Sequence, residues 1–453
     1  MVLLLCAGLA SCGALQDGQQ SIAADNPSAP ATSSPRCAAV TKLPVGQHLV
    51  TSWRNAPSDA LVTHLLAGVT VRQAFAPHRS GSQMRLRLSN RYSQLPVTLE
   101  NIHIAQEQAP GAAALVPGTG CALSFGGSSR ITIGAGGSAV SDLIQYPVQA
   151  FERVGVSFYA PEITMQVTRH LISNETLYIS APGDYSADPS GAAFVPMPDG
   201  YVSNFLVIEA LEVAAPRGVT TLVAVGDSIT DGSDSTTAPL QGAPSAMTGT
   251  DERYPDHLQR RIDAAGLPLT VANAGIGGNE LLSSGLLPQF GLGLLDRLDA
   301  DVLSVTGASH VIAMIGTNDS GNAWPGGGPS TEELIAGYTR LVQRVHAAGL
   351  KIVLGTIPPA EGTVIEGLPV PLVNTLPIGI QHGSDAARRS RDGANAWIRS
   401  QTISDGIVDF EACLSDRRRP GYLDPAFNSG DNLHPNPRGY AAMAECIDLQ
   451  LFR

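Results

Sequence analysis

Two short stretches carry the residue types of acyl-transfer chemistry. Gly226-Asp227-Ser228 ends the apolar run Leu222-Val223-Ala224-Val225, and Asp431-Asn432-Leu433-His434-Pro435-Asn436-Pro437 lies near the end of the chain. A strand-type run that closes on a polar residue delivers that side chain to the rim of a parallel sheet. A serine there acts as a nucleophile only if a base, an orienting acid and an oxyanion site are supplied elsewhere. Asp431 and His434 meet the first two needs, since a carboxylate can fix the imidazole Nδ1–H and leave Nε2 to take the serine proton. Pro435 and Pro437 hold the residues before them extended, which stiffens the loop. Asn436 suits a helix cap and Pro437 a first helical position, so the last helix is expected there. Two weaker pieces, Asn273-Ala274-Gly275-Ile276-Gly277-Gly278 and Gly316-Thr317-Asn318, offer a close backbone N–H and a side-chain amide for a developing oxyanion. Alone, each reads as a capping serine, a solvated histidine or an ordinary turn. As a set they read as a hydrolytic site.

The elements that must position them divide the chain. From 43 to 215 the period is two, as in Met84, Leu86 and Leu88 alternating with Arg85 and Arg87, and turn residues recur at short intervals. This predicts an all-β, sandwich-like domain whose role is open between carbohydrate binding, shaping the cleft and simple packing. From 216 to 453 strands alternate with helices, which predicts a parallel sheet covered on both faces. Strands are expected at 222–225, 269–272, 311–315, 352–357 and 407–410, and helices at 253–265, 331–348 and 385–401. Ser330-Thr331-Glu332-Glu333 is a capping box for the second of these helices. The Gly/Pro-rich stretches 233–251 and 360–383 follow strand ends and are read as cleft walls. The rim sequences 233–237 and 320–326 are polar, with Trp324 as their one large aromatic and a candidate sugar contact, whereas 364–378 is apolar.

Ser228, Gly278, Asn318 and the pair Asp431/His434, in that order, resemble the SGNH or GDSL hydrolase family over about 219–451. The resemblance implies a three-layer, flavodoxin-like α/β fold. It also implies Ser228 as nucleophile, His434 as general base and acid, Asp431 as its orienter, and an oxyanion hole from the Ser228 and Gly278 N–H groups and the Asn318 amide. The β-rich first domain and Arg253-Tyr254-Pro255-Asp256 resemble the secreted, acetylxylan-esterase-like subgroup. The expected reaction is hydrolysis of short-chain esters, acetyl foremost, on carbohydrates, with no cofactor. A lipase or phospholipase is the rival within the family, and a non-catalytic carbohydrate-binding protein the rival outside it. A dinucleotide fold is disfavoured because its third fingerprint glycine would fall on Glu280.

Composition narrows the partners. The net charge is -12 and lysine occurs only at 42 and 351, so a nucleic acid or an anionic membrane surface is not expected. Residues 1–15 read as a signal region and 16–42 as a disordered tether. Leu9-Ala10-Ser11-Cys12 resembles a lipoprotein cleavage box, which would anchor Cys12 to the bacterial envelope; a plain signal peptide is the alternative. Because no Lys or Arg precedes Arg36, the true start is expected further upstream. Of the remaining cysteines, Cys413 is paired with Cys446 and Cys37 with Cys121, with buried free thiols as the alternative. No Cys/His spacing predicts a metal site.

Overall fold

A computed structural model of the protein describes residues 35–60, 66–197, 204–233, 247–285, 290–321, 328–363 and 382–453. Trp324, the cysteine at 12 and most of the two expected cleft walls lie outside these residues. The first part of the chain is antiparallel. One sheet runs Gln47–Arg54, Ile208–Pro216, Gly81–Ser89, Ser138–Val140, with Ile144–Val148 also paired to Gly81–Ser89. The other has Val69–Phe75 and Val97–Gln106 on either side of Val154–Ala160. Alternation has the expected cause: Met84, Leu86 and Leu88 are buried, while Arg85 and Arg87 reach sideways to Glu212 on the neighbouring strand. Side chains from both sheets, Leu86, Leu211, Val71 and Phe158 among them, share one core. Disulfides join Cys37 to Cys121 and Cys413 to Cys446.

Beyond Pro216 five parallel strands stand in the spatial order Leu269–Gly275, Thr220–Gly226, Ala308–Met314, Lys351–Gly355, Gly406–Val408. Read by chain position this is 2-1-3-4-5, the flavodoxin-like order, which places ligands outside the carboxyl end of the first strand. Register brings the chemistry to one level, because Gly226 lies opposite Gly275 on one side and Met314 on the other. The first strand is buried on both faces. Val223 and Val225 meet the helices Thr331–Ala347 and Asp385–Ser400, and Leu222 and Ala224 meet Tyr254–Ala264 and Pro437–Glu445. The Ser330/Glu333 capping box is present, with bonds of 3.2 and 2.8 Å. One expectation is corrected. Phe410 does not end the last strand but opens the short helix Phe410–Leu414, because the Asp409 carboxylate accepts the Ala412 N–H at 3.1 Å and caps it.

Candidate active site

The serine is set by a glycine and an aspartate. A side chain at Gly226 would stand 2.1 Å from the Met314 carbonyl oxygen, so the strand can close only on glycine. Asp227 then caps a four-residue helix, Ser228–Asp231, by accepting the Ile229 N–H at 3.0 Å. Its other oxygen, Oδ2, is buried with no partner among the described residues, and this burial pushes Asp227 up to about 7.

The histidine comes from the loop before the last helix. Asn436 caps Pro437–Glu445 by accepting the Gly439 N–H at 3.0 Å, and its amide donates to the Ala426 and Asn428 carbonyls. Tyr440 in that helix donates to the Ser233 carbonyl, tying it to the chain just past the serine. Asp431 Oδ1 accepts the N–H groups of Leu433 and His434 at 2.9 and 2.8 Å, and its Oδ2 meets His434 Nδ1 at 2.7 Å. His434 Nε2 in turn lies 2.8 Å from Ser228 Oγ. Burial alone would raise the Asp431 carboxyl. The adjacent His434 and these hydrogen bonds outweigh it and hold the group at about 2, ionised throughout the neutral range.

The third strand and the glycine loop are joined to each other. Asp319 accepts the Leu281 and Leu282 N–H groups at 2.8 and 3.0 Å, and the Asn318 amide nitrogen donates to the Asn279 carbonyl at 2.9 Å. Gly278 turns this loop at φ +75°, where an added Cβ would meet the Phe290 ring at 2.3 Å. Neither the Ser228 nor the Gly278 N–H meets an acceptor among the described residues, so both are available to a ligand oxygen.

Two contributors carried no sequence signal. His382 is buried and its Nε2 lies 3.1 Å from Asn318 Oδ1. Burial lowers this imidazole to about 3, so the ring is neutral, and facing an oxygen it presents Nε2–H. That bond fixes which way the Asn318 amide points. Arg297, fully buried, donates to the carbonyls of Gly226 and Ala274 and to Asn279 Oδ1, so it clamps the ends of the first two strands beneath the site. Among the described residues no group of three or more His, Cys, Asp or Glu side chains is placed to hold a metal ion.

Residues 224–442 match the family model described as the GDSL-like Lipase/Acylhydrolase family. The domain they form belongs to that family. The GDSL-like domain and its Ser–His–Asp chain make the protein a carboxylic ester hydrolase. Solved structures similar to it include a GDSL-like lipase from Bacteroides thetaiotaomicron (19% identity, 51% of this chain and 88% of that one, TM-score 0.34). An acetyl xylan esterase (19%, 50% and 96%, 0.34) and an aryl esterase of M. smegmatis (15%, 50% and 95%, 0.37) are similar as well. No curated protein sequence matches the chain.

Proposed function

We propose that the protein hydrolyses short-chain carboxylic esters, acetyl foremost, of carbohydrates or other polar alcohols, through an acyl-enzyme on Ser228. The observation that carries the reading is the hydrogen-bonded chain from Ser228 Oγ through His434 to Asp431. Ser228 Oγ attacks the ester carbonyl carbon as its proton passes to His434 Nε2. The imidazolium formed keeps its Nδ1–H on the ionised Asp431. Charge on the carbonyl oxygen is met by the N–H groups of Ser228 and Gly278 and the Asn318 amide. Collapse expels the alcohol, which takes the proton back from His434. A water deprotonated by the same nitrogen then releases the acid.

The short-acyl preference is supported by the polar residues around the site. Asn428, Ser429 and Asn432 form the loop before His434, and Thr363 donates to the Asn432 carbonyl. Each acyl methylene needs apolar cover to gain its about 0.8 kcal/mol. The apolar sequence 364–378 favours the lipase reading instead. Export is supported by the two disulfides, which suit an oxidising compartment, and anchoring at Cys12 rests on the sequence Leu9-Ala10-Ser11-Cys12 alone. The test is kcat/KM for p-nitrophenyl esters from acetate to palmitate. A decline from acetate onward is expected, and a maximum at about eight carbons or beyond would overturn the acetylesterase reading in favour of a lipase.

A further inference from the structure

The β-rich first domain reaches into the catalytic one directly behind the serine. His170, in the two-residue strand Arg169–His170, is buried. Its Nδ1 lies 2.6 Å from the Ala56 carbonyl oxygen. Its Nε2 lies 2.8 Å from the Ile172 carbonyl oxygen and 3.1 and 3.0 Å from the two carboxylate oxygens of Asp231. Among the described residues both ring nitrogens therefore face acceptors only. A neutral imidazole has one N–H and one lone pair, so either tautomer would turn a lone pair onto an oxygen in a dry interior. Only the imidazolium donates on both sides. Burial alone would favour the neutral ring, but Asp231 and the two carbonyls outweigh it and hold the pKa above its ordinary value.

Asp231 passes this link to the reacting groups. It is the last residue of the helix that Ser228 begins, and its Oδ2 also accepts the Gly277 N–H at 3.1 Å, one residue before Gly278. From the same β-domain segment, Asn174 donates to the Gly232 carbonyl at 3.0 Å. Ile172 Cδ1 would stand 3.4 Å from a side-chain carbon at Gly277. One carboxylate thus holds the serine helix, the glycine loop and the β-domain in a single arrangement.

We propose that His170, held as an imidazolium, is a positioning residue for ester hydrolysis. Acting through Asp231, it fixes the spacing between the Ser228 helix and the Gly277–Gly278 loop, which makes the β-domain a working part of the active site. This rests on the reading that Ser228 and Gly278 act on the ester. A contact that only glues domains together is illustrated by His78. Also buried, it bonds to the Val271 carbonyl at 2.7 Å and to Asp256 at 2.9 Å, and to neither the serine helix nor the glycine loop.

The experiment uses the full chain and p-nitrophenyl acetate. Ser228→Ala comes first, because activity that survives it sinks the underlying reading, and the proposal with it, whereas the His170 and Asp231 variants below test the proposal alone. His170→Gln and Asp231→Asn are each expected to lower kcat on the order of 10-fold with KM changed by less than about twofold. The double variant should lose no more than the worse single one, because both changes cut one link. His78→Gln should lower Tm and keep kcat within about twofold. Nitrogen-15 NMR of the wild-type protein should show both ring nitrogens of His170 protonated at neutral pH, and this measurement stands even if His170→Gln does not fold. A wild-type kcat in either single variant, additive losses in the double one, or a neutral His170 ring would overturn the proposal while leaving Ser228 as the nucleophile.

Discussion

Replacing Asp431 by asparagine exchanges one oxygen for an amide nitrogen, and in this loop the exchange should reverse a tautomer. Oδ1 of Asp431 accepts two backbone N–H groups, at 2.9 and 2.8 Å, and the Ser429 hydroxyl at 3.2 Å. Among the described residues Oδ2 faces only His434 Nδ1. An asparagine has a single oxygen for these two positions. Placing its NH2 against the backbone would strand two buried donors, each costing on the order of 1–3 kcal/mol, whereas placing it against Nδ1 creates one conflict that a proton shift relieves. The amide nitrogen should therefore face Nδ1, which must then accept, and the imidazole proton moves to Nε2. That nitrogen lies 2.8 Å from Ser228 Oγ and, once protonated, cannot take the serine proton. The same substitution in a serine-protease triad costs about 10⁴ in kcat, and the same order is expected here with KM little changed. Initial rates on p-nitrophenyl acetate measure it, with near-UV circular dichroism checking that the loop is kept. A loss smaller than about tenfold would mean that Asp431 does not set the tautomer.

Asn318→Ala should lower kcat by roughly 10²–10³ with little change in KM, the usual cost of one oxyanion donor; a raised KM at unchanged kcat would make Asn318 a substrate contact instead. In that background His382→Phe should cost nothing more, since His382 acts through the Asn318 amide, and a further loss would give the histidine a role of its own. Asp227, pushed up to about 7, holds its proton more tightly in the folded protein than in the unfolded chain. Wild-type stability should therefore fall as pH rises from the ordinary carboxylate range to about 7, then level off. Asp227→Asn keeps the capping oxygen and should raise Tm at pH 8 far more than near pH 4.5, by up to a few kcal/mol in stability. An equal Tm difference at both pH values would contradict the assignment.

The parts of the site that the sequence displays are those governed by local rules. Gly226 before Asp227-Ser228, the prolines after His434 and Asn436, and the Ser330/Glu333 capping box each set backbone geometry within a few residues, and each does so in the structure. Phe410 was misread because a strand end and a capped helix start look alike until the Asp409 side chain is seen to close on the Ala412 N–H. His382, Arg297 and His170 gave no warning for a different reason. Each is a lone polar residue whose role depends on an acceptor 61 to 71 positions away in the chain: Asn318 for His382, Gly226 for Arg297 and Asp231 for His170. No spacing rule reaches that far, so only tertiary packing makes them part of the site. The role of the β-domain was illegible on the same grounds, because its links to the serine helix run through His170 and Asn174, 61 and 58 positions from their partners.

The central claim is that Ser228 forms the covalent acyl intermediate, and it is met most directly by trapping that residue. The protein would be incubated with a p-nitrophenyl alkylphosphonate, digested and mapped by mass spectrometry while residual esterase activity is followed. The account predicts one phosphonyl group per chain, on the peptide carrying Ser228, accumulating in step with the loss of activity. Full inactivation with Ser228 unmodified, or complete labelling of Ser228 with activity retained, would contradict it.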